Sequence, residues 1–321
     1  MSNIVRASDR PRVIFMGMTG NFSHPPLVAL LESGVEVCAV VLPASVKDVS
    51  RPAIRRIEPP AKSHAMLPVL SSSLYTSIAR IAWERSIPVW EVQRMSDAET
   101  YTVYSSCEAD AFCVACFSLY IPRGILDIPR LGCLNVHPSL LPANRGPDPL
   151  FWTFRNGDRE TGVTIHLMDE GLDTGPILAQ EHIAVPDGVR YAELEARCAD
   201  LGGRLLTRSL WDLYRGSAHL IPQEESKSSY LAQPAGQDYV VPGADWTARR
   251  VYNFVRGVAS REQPVTLTVD RRTLKAVDAI SYSHEDIGAY DNHAHEVRTG
   301  EVIRVKCNGG WVDVIYQRRK K

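Results

Sequence analysis

"RVIFMGMTGNFSHPPLVALLESGVEVCAVVLP", residues 12–43, decides the fold class. An apolar run ending in glycines leads into "SHPPLVALLESG", which has helical spacing and closes on Gly34; "VEVCAVVLP" then repeats the apolar run. Unbroken apolar runs, as opposed to alternating ones, mark strands covered on both faces. "IPVWEV", "ADAFCVACFSLYIP" and "GCLNVHPS" continue the pattern with helical material between them. Strands alternating with helices in this way predict an α/β domain with a doubly wound, mostly parallel sheet. Such sheets place ligand sites beyond the carboxyl ends of their strands.

With 321 residues, 45% of them hydrophobic, the chain has material for a substantial core and two domains. Lys and Arg number 36 against 37 Asp and Glu, so no global field would hold the chain on nucleic acid or an anionic membrane. The start, "MSNIVRASDRPRVIFMG", lacks a continuous apolar signal segment, and no run approaches the ~18 apolar residues of a membrane helix, so a cytoplasmic location is expected. Of the 7 cysteines, Cys38, Cys113, Cys116 and Cys133 lie in apolar runs and read as buried reduced thiols. Cys113 and Cys116 form a C-x-x-C, but it sits in a strand-like stretch with no second pair, so core packing is expected over metal or redox chemistry.

Residues 43–73 interrupt the alternation with prolines and with Arg51, Arg55, Arg56 and Lys62, and read equally as a solvated loop or one that contacts a polyanion. "YAELEARCADLGGRLLTRSLWDLYRG" is helical and closes the first domain, taken as 1–216. Residues 217–245 are polar and rich in Pro and Gly, the chemistry of a linker. The remaining 246–321 opens with the helical "WTARRVYNFVRGV" and continues with alternating segments that predict a small β-rich, barrel-like domain.

Chemistry concentrates in "GCLNVHPSLLPANRGPDP", residues 132–149. Asn135 and His137 share one side of a strand, because side chains repeat every second residue, and Pro138 and Pro142 end the strand there. An amide donates to an oxygen gaining charge and an imidazole carries a proton near neutral pH, a pair suited to acyl transfer. "DEGLDTG" adds the carboxylates Asp169, Glu170 and Asp173 in a glycine-rich turn. The plainer reading, a capped strand end and turn-forming carboxylates, is favoured by spacing alone, since isolated N-x-H pairs are frequent.

Joined to "GDRETGVTIHLMDEGLDTGPIL", the stretch closely resembles the folate-dependent formyltransferase family, with its N-x-H-x-S-L-L-P segment and G-[LV]-D-[TA]-G loop, over roughly residues 12–215. The resemblance implies a Rossmann-like catalytic domain and 10-formyltetrahydrofolate as formyl donor, with no metal needed. It assigns Asn135 to the formyl oxygen, His137 to proton transfer and Asp173 to orienting the histidine. It nominates Phe117, Leu119, Ile121, Glu170 and Leu172 for the pterin. The C-terminal domain resembles the methionyl-tRNA and sugar-nucleotide branches. For tRNA as acceptor stand the arginines of the 43–73 loop and the basic end "QRRKK". Against it, the P-D-[RK]-P-x-G-R-G-type loop usual in the methionyl-tRNA branch is missing, and of that branch's K-[LI]-x-K-x-[ED]-[AG]-x-[IL]-[DN]-W linker segment only "GADW" remains. A small amine such as an amino-sugar nucleotide, or water in a hydrolase, is the alternative acceptor.

Overall fold

The computed structural model describes residues 9–44, 50–60, 78–259, 261, 264–269, 272–284 and 302–317. Its first strands form where apolar runs are longest: β1 (Arg12–Gly17) and β2 (Glu36–Pro43), linked by helix α1 (His24–Glu32), with Gly34 taking the positive φ (83°) that turns the chain back. Strand β3 (Ile54–Ile57), helix α2 (Ile78–Glu84), strand β4 (Val89–Val92) and helix α3 (Ala98–Ser106) follow. Then come β5 (Ala111–Ala115), the short α4 (Arg123–Leu126), β6 (Cys133–His137), α5 (Pro149–Asn156), β7 (Glu160–Leu167), β8 (Ile177–Ala184) and the long α6 (Tyr191–Arg215).

These eight strands make one sheet in the order β3-β4-β2-β1-β5-β6-β7-β8. The inner pairs β4–β2, β2–β1, β1–β5 and β5–β6 are parallel, while β3–β4 and β6–β7 are antiparallel. The expected doubly wound α/β sheet is therefore present. β5 is buried at every position and lies between β1 and β6, so a continuous apolar sequence is what its environment demands. One core cluster joins Ile14 and Met16 of β1, Ala39 and Val41 of β2, Phe112 and Val114 of β5, and Tyr104 of α3.

The remaining elements are β9 (Val240–Pro242), α7 (Ala248–Val258), β10 (Val265–Val269), β11 (Arg272–Ser283), β12 (Val302–Cys307) and β13 (Gly310–Tyr316). They supply a second sheet, ordered β12-β13-β11-β10-β9, antiparallel except for β9–β10. Among the described residues no helix is long and apolar enough to cross a membrane.

Two expectations need correction. First, residues 43–73 are not uniformly loop: Arg55 and Arg56 lie on β3, an edge strand too short and too basic to register as apolar. Arg55 donates to Glu91 at 2.7 Å and Arg56 lies 3.1 Å from Glu58, while Lys62 falls outside the described residues. Second, Cys116 is not core. β5 stops at Ala115 although the apolar run continues, and Cys116 is exposed with φ 57°. Cys113 and Cys133 are buried and Cys38 is half-buried.

The described chain forms two compact units. One comprises 1–145, 162–181 and 196–228; the other comprises 146–161, 182–195 and 229–321. Segments distant in sequence join the second unit for visible reasons. Phe151 of α5 packs on Phe254 of α7 with ring centroids 5.6 Å apart. Gly188 donates its N–H to Asn253 at 2.8 Å, and Arg190 meets Asp278 at 2.6 Å.

Candidate active site

β6 carries Asn135 and His137 on one face to the carboxyl edge of the sheet, and the exit loop that follows is tied down by hydrogen bonds. Thr164 Oγ1 donates to Ser139 O (2.7 Å) and accepts from Leu141 N (3.2 Å) and from Gln180 Nε2 (2.8 Å), which uses the full capacity of a hydroxyl. Ser139 Oγ donates onward to Ala143 O at 2.8 Å. The loop then delivers the carbonyl of Asn144, a non-glycine residue held at φ 58°, to within 2.9 Å of His137 Nε2.

A carbonyl only accepts, so His137 carries its proton on Nε2 and turns the Nδ1 lone pair the other way. There it faces Asp173, with Oδ1 at 3.7 Å; the Asp173 side chain is 10% exposed and that of His137 5%. Burial holds the His137 imidazole below the ordinary histidine value of 6.5, against the opposing pull of the Asp173 carboxylate. It is accordingly neutral near neutral pH and able to accept a proton.

Asp173 belongs to the glycine-rich turn between β7 and β8. Asp169 Oδ1 organises that turn by accepting from Gly171 N (3.0 Å) and Thr174 Oγ1 (2.6 Å). Gly175 closes it: a Cβ there would lie 1.8 Å from the carbonyl oxygen of Leu167. Gly175→Ala therefore has to displace backbone, and we expect it to cost about 1–3 kcal/mol of stability, read as a lower midpoint in thermal unfolding.

His166, absent from the sequence reading of the site, joins it through strand register. β7 pairs antiparallel with β6 so that His166 stands directly opposite Asn135. Its Nδ1–H donates to Leu167 O at 3.0 Å, which leaves Nε2 to accept from the Asn135 amide nitrogen at 3.1 Å. That bond fixes which end of the Asn135 amide is donor. His166 Nε2 also lies 3.6 Å from Asp173 Oδ1, so four polar side chains converge at the end of β6.

The nominated pterin residues are more scattered. Ile121 is 3% exposed and belongs to the core cluster, while Phe117 and Leu119 are partly buried and pack against it. Leu119 also lines an open groove of about 490 Å³ together with Arg94, Met95, Tyr120 and Pro122. Leu172 is 52% exposed. Glu170 is exposed and lies 3.6 Å from Arg123.

A parallel sheet with an amide, two imidazoles and a carboxylate gathered at its carboxyl edge is the frame of an acyl-transfer enzyme, and the chain has measurable kin of that class. Residues 12–210 match the formyl transferase family, to which the chain belongs. The resemblance read from the sequence thus holds for the family and the fold, and the chain is an enzyme that transfers formyl groups. The methionyl-tRNA formyltransferase of Brucella ovis is 38% identical over 250 residues, covering 77% of this chain and 74% of that protein. That of Pelotomaculum thermopropionicum is 35% identical over 247 residues, covering 77% and 72%. Among solved structures, the N-formyltransferase from Helicobacter canadensis, in complex with folinic acid and dTDP-3-aminofucose, shares the fold with a TM-score of 0.66 at 18% identity, covering 96% of this chain and 100% of that one. HypX from Aquifex aeolicus, in complex with tetrahydrofolic acid, does so with a TM-score of 0.61 at 16% identity; 97% of this chain spans only 45% of HypX.

Proposed function

We propose that this enzyme takes the formyl group of 10-formyltetrahydrofolate and delivers it to the amine of initiator methionyl-tRNA. The convergence of Asn135, His137 and Asp173 at the end of β6 carries the chemistry. With one N–H of Asn135 engaged by His166, the other donates to the formyl oxygen as negative charge gathers on it. The acceptor nitrogen bonds to the formyl carbon, and His137 Nδ1 takes the proton the amine sheds. The imidazolium so formed has both N–H groups placed, one on Asn144 O and one toward the Asp173 carboxylate. His137 then returns the proton to the departing folate nitrogen as its bond to the formyl carbon breaks. A separation of 3.7 Å to Asp173 is long for a hydrogen bond and suits a contact that tightens once the imidazole is charged. Phe117, Leu119, Leu172 and Glu170 border the donor, and the groove along Leu119 accommodates its tail.

The tRNA acceptor rests on relatives such as the methionyl-tRNA formyltransferase that is 38% identical to this chain over 250 residues. A small amine is the second reading, favoured by the pairing of Arg55 with Glu91 and Arg56 with Glu58, which reduces the charge β3 offers a polyanion. The test follows tetrahydrofolate release from 10-formyltetrahydrofolate with charged initiator tRNA, with amino-sugar nucleotides and with no acceptor. Release that requires tRNA supports the proposal. Release only with the sugar nucleotides transfers the assignment to the second reading, and equal release without acceptor identifies a hydrolase.

The buried, neutral His137 sets the pH dependence. Because its pKa is depressed, His137 should lose its neutral form only as pH drops through a value below 6.5, and the limb of the rate profile that it contributes should lie there. Asp173 raises that pKa, so Asp173→Asn should move the His137 titration still lower, read by NMR of the labelled imidazole. A His137 imidazole that titrates above 6.5, or an upward shift in the variant, contradicts the assignment.

A further inference from the structure

Residues 217–245 read in sequence as a linker, yet their first part reaches back to the site. Gln223 Nε2 donates to the backbone oxygens of Asp173 (2.8 Å) and Gly175 (2.7 Å). Its Oε1 accepts from Arg145 Nε (3.2 Å) and Nη2 (2.9 Å), so both donors and both lone pairs of the amide are engaged. Arg145, only 6% exposed, also forks onto Glu225, with Nη1 to Oε2 at 3.0 Å and Nη2 to Oε1 at 2.7 Å.

The two ends of this bracket matter. Arg145 directly follows Asn144, whose carbonyl holds His137 Nε2, and Gln223 grips the carbonyl of Asp173 itself. Asn144 and Asp173 both sit at positive φ, 58° and 56°, a conformation that non-glycine residues keep only where the surroundings enforce it. One amide therefore clamps the two loops that present His137 and its carboxylate to each other.

We propose that Gln223, braced by Arg145, is a positioning residue that sets the separation between His137 and Asp173. The proposal rests on the formyl-transfer reading for its kinetic consequences but not for its structural one. Misplacing a reacting group by about 1 Å costs on the order of 100-fold in rate. Gln223→Ala should accordingly lower kcat by about 10–100-fold and leave KM for 10-formyltetrahydrofolate within about twofold, the signature of an interaction realised beyond ground-state binding. Gln223→Glu, nearly isosteric but unable to donate to two carbonyls, should lose at least as much.

A role in folding alone would not move the titration of His137, whose facing ionisable groups are Asp173 and His166. With Asp173 loosened, the imidazole loses support for its charged form, and its NMR titration should shift downward in Gln223→Ala. That readout needs no substrate: a shift with wild-type protein inactive on 10-formyltetrahydrofolate upholds the bracket and sinks the functional reading. An unshifted titration, or a kcat loss that merely tracks the folded fraction, overturns the proposal. Should Gln223→Ala fail to fold, Glu225→Ala, which removes only the exposed end of the brace, should give a smaller shift of the same sign; no shift there overturns it.

Discussion

Asn135→Ala lowers kcat for formyl transfer by about 10²–10³-fold, the usual consequence of removing one preorganised donor from a developing oxyanion. Asn135 is only half-buried and, among the described residues, its side chain bonds to His166 at 3.1 Å, so truncation leaves no large cavity and the unfolding midpoint should hardly change. The vacated His166 Nε2 costs about 1 kcal/mol at most, since a water can replace the amide. Donor binding, measured as a dissociation constant for tetrahydrofolate, should stay within a few-fold. A variant that kept wild-type kcat would remove Asn135 from the chemistry, and one that lost donor affinity in proportion would recast it as a binding residue.

His137→Ala has the second large effect, about 10²–10⁴-fold in kcat, the range that a positioned acid or base contributes. This change is less gentle on the fold. His137 is 4% exposed, and its loss removes a buried side chain together with the hydrogen bond between Nε2 and the Asn144 carbonyl, a penalty of about 1–3 kcal/mol. Activity must therefore be normalised to folded protein. Added imidazole discriminates the roles: partial rescue with a slope that follows the neutral base supports proton transfer through Nδ1, whereas no rescue in a folded variant points to a purely structural histidine.

How much of this was legible follows from what each inference required. The parallel sheet could be read because β1, β2 and β5 are buried on both faces and their sequences say so without interruption. Asn135 and His137 could be paired because alternation within one strand is a local rule. His166 could not, since its place beside Asn135 depends on the antiparallel register of β7, and register is a property of two strands. Gln223 was hidden by composition: "PQEESKS" looks like linker, and only the folded chain shows its amide filled by Arg145 and two carbonyls. β3 escaped because four residues with two arginines carry too little apolar signal, and Cys116 misled because an apolar run outlasted its strand.

The measurement closest to the central claim follows an isotope-labelled formyl group from 10-formyltetrahydrofolate into the acceptor, wild type beside Asn135→Ala and His137→Ala at equal folded concentration. The geometry at the end of β6 predicts label in the amine with wild type and about 10²-fold less, or lower still, with each variant. Label transferred equally by all would place the chemistry elsewhere in the protein.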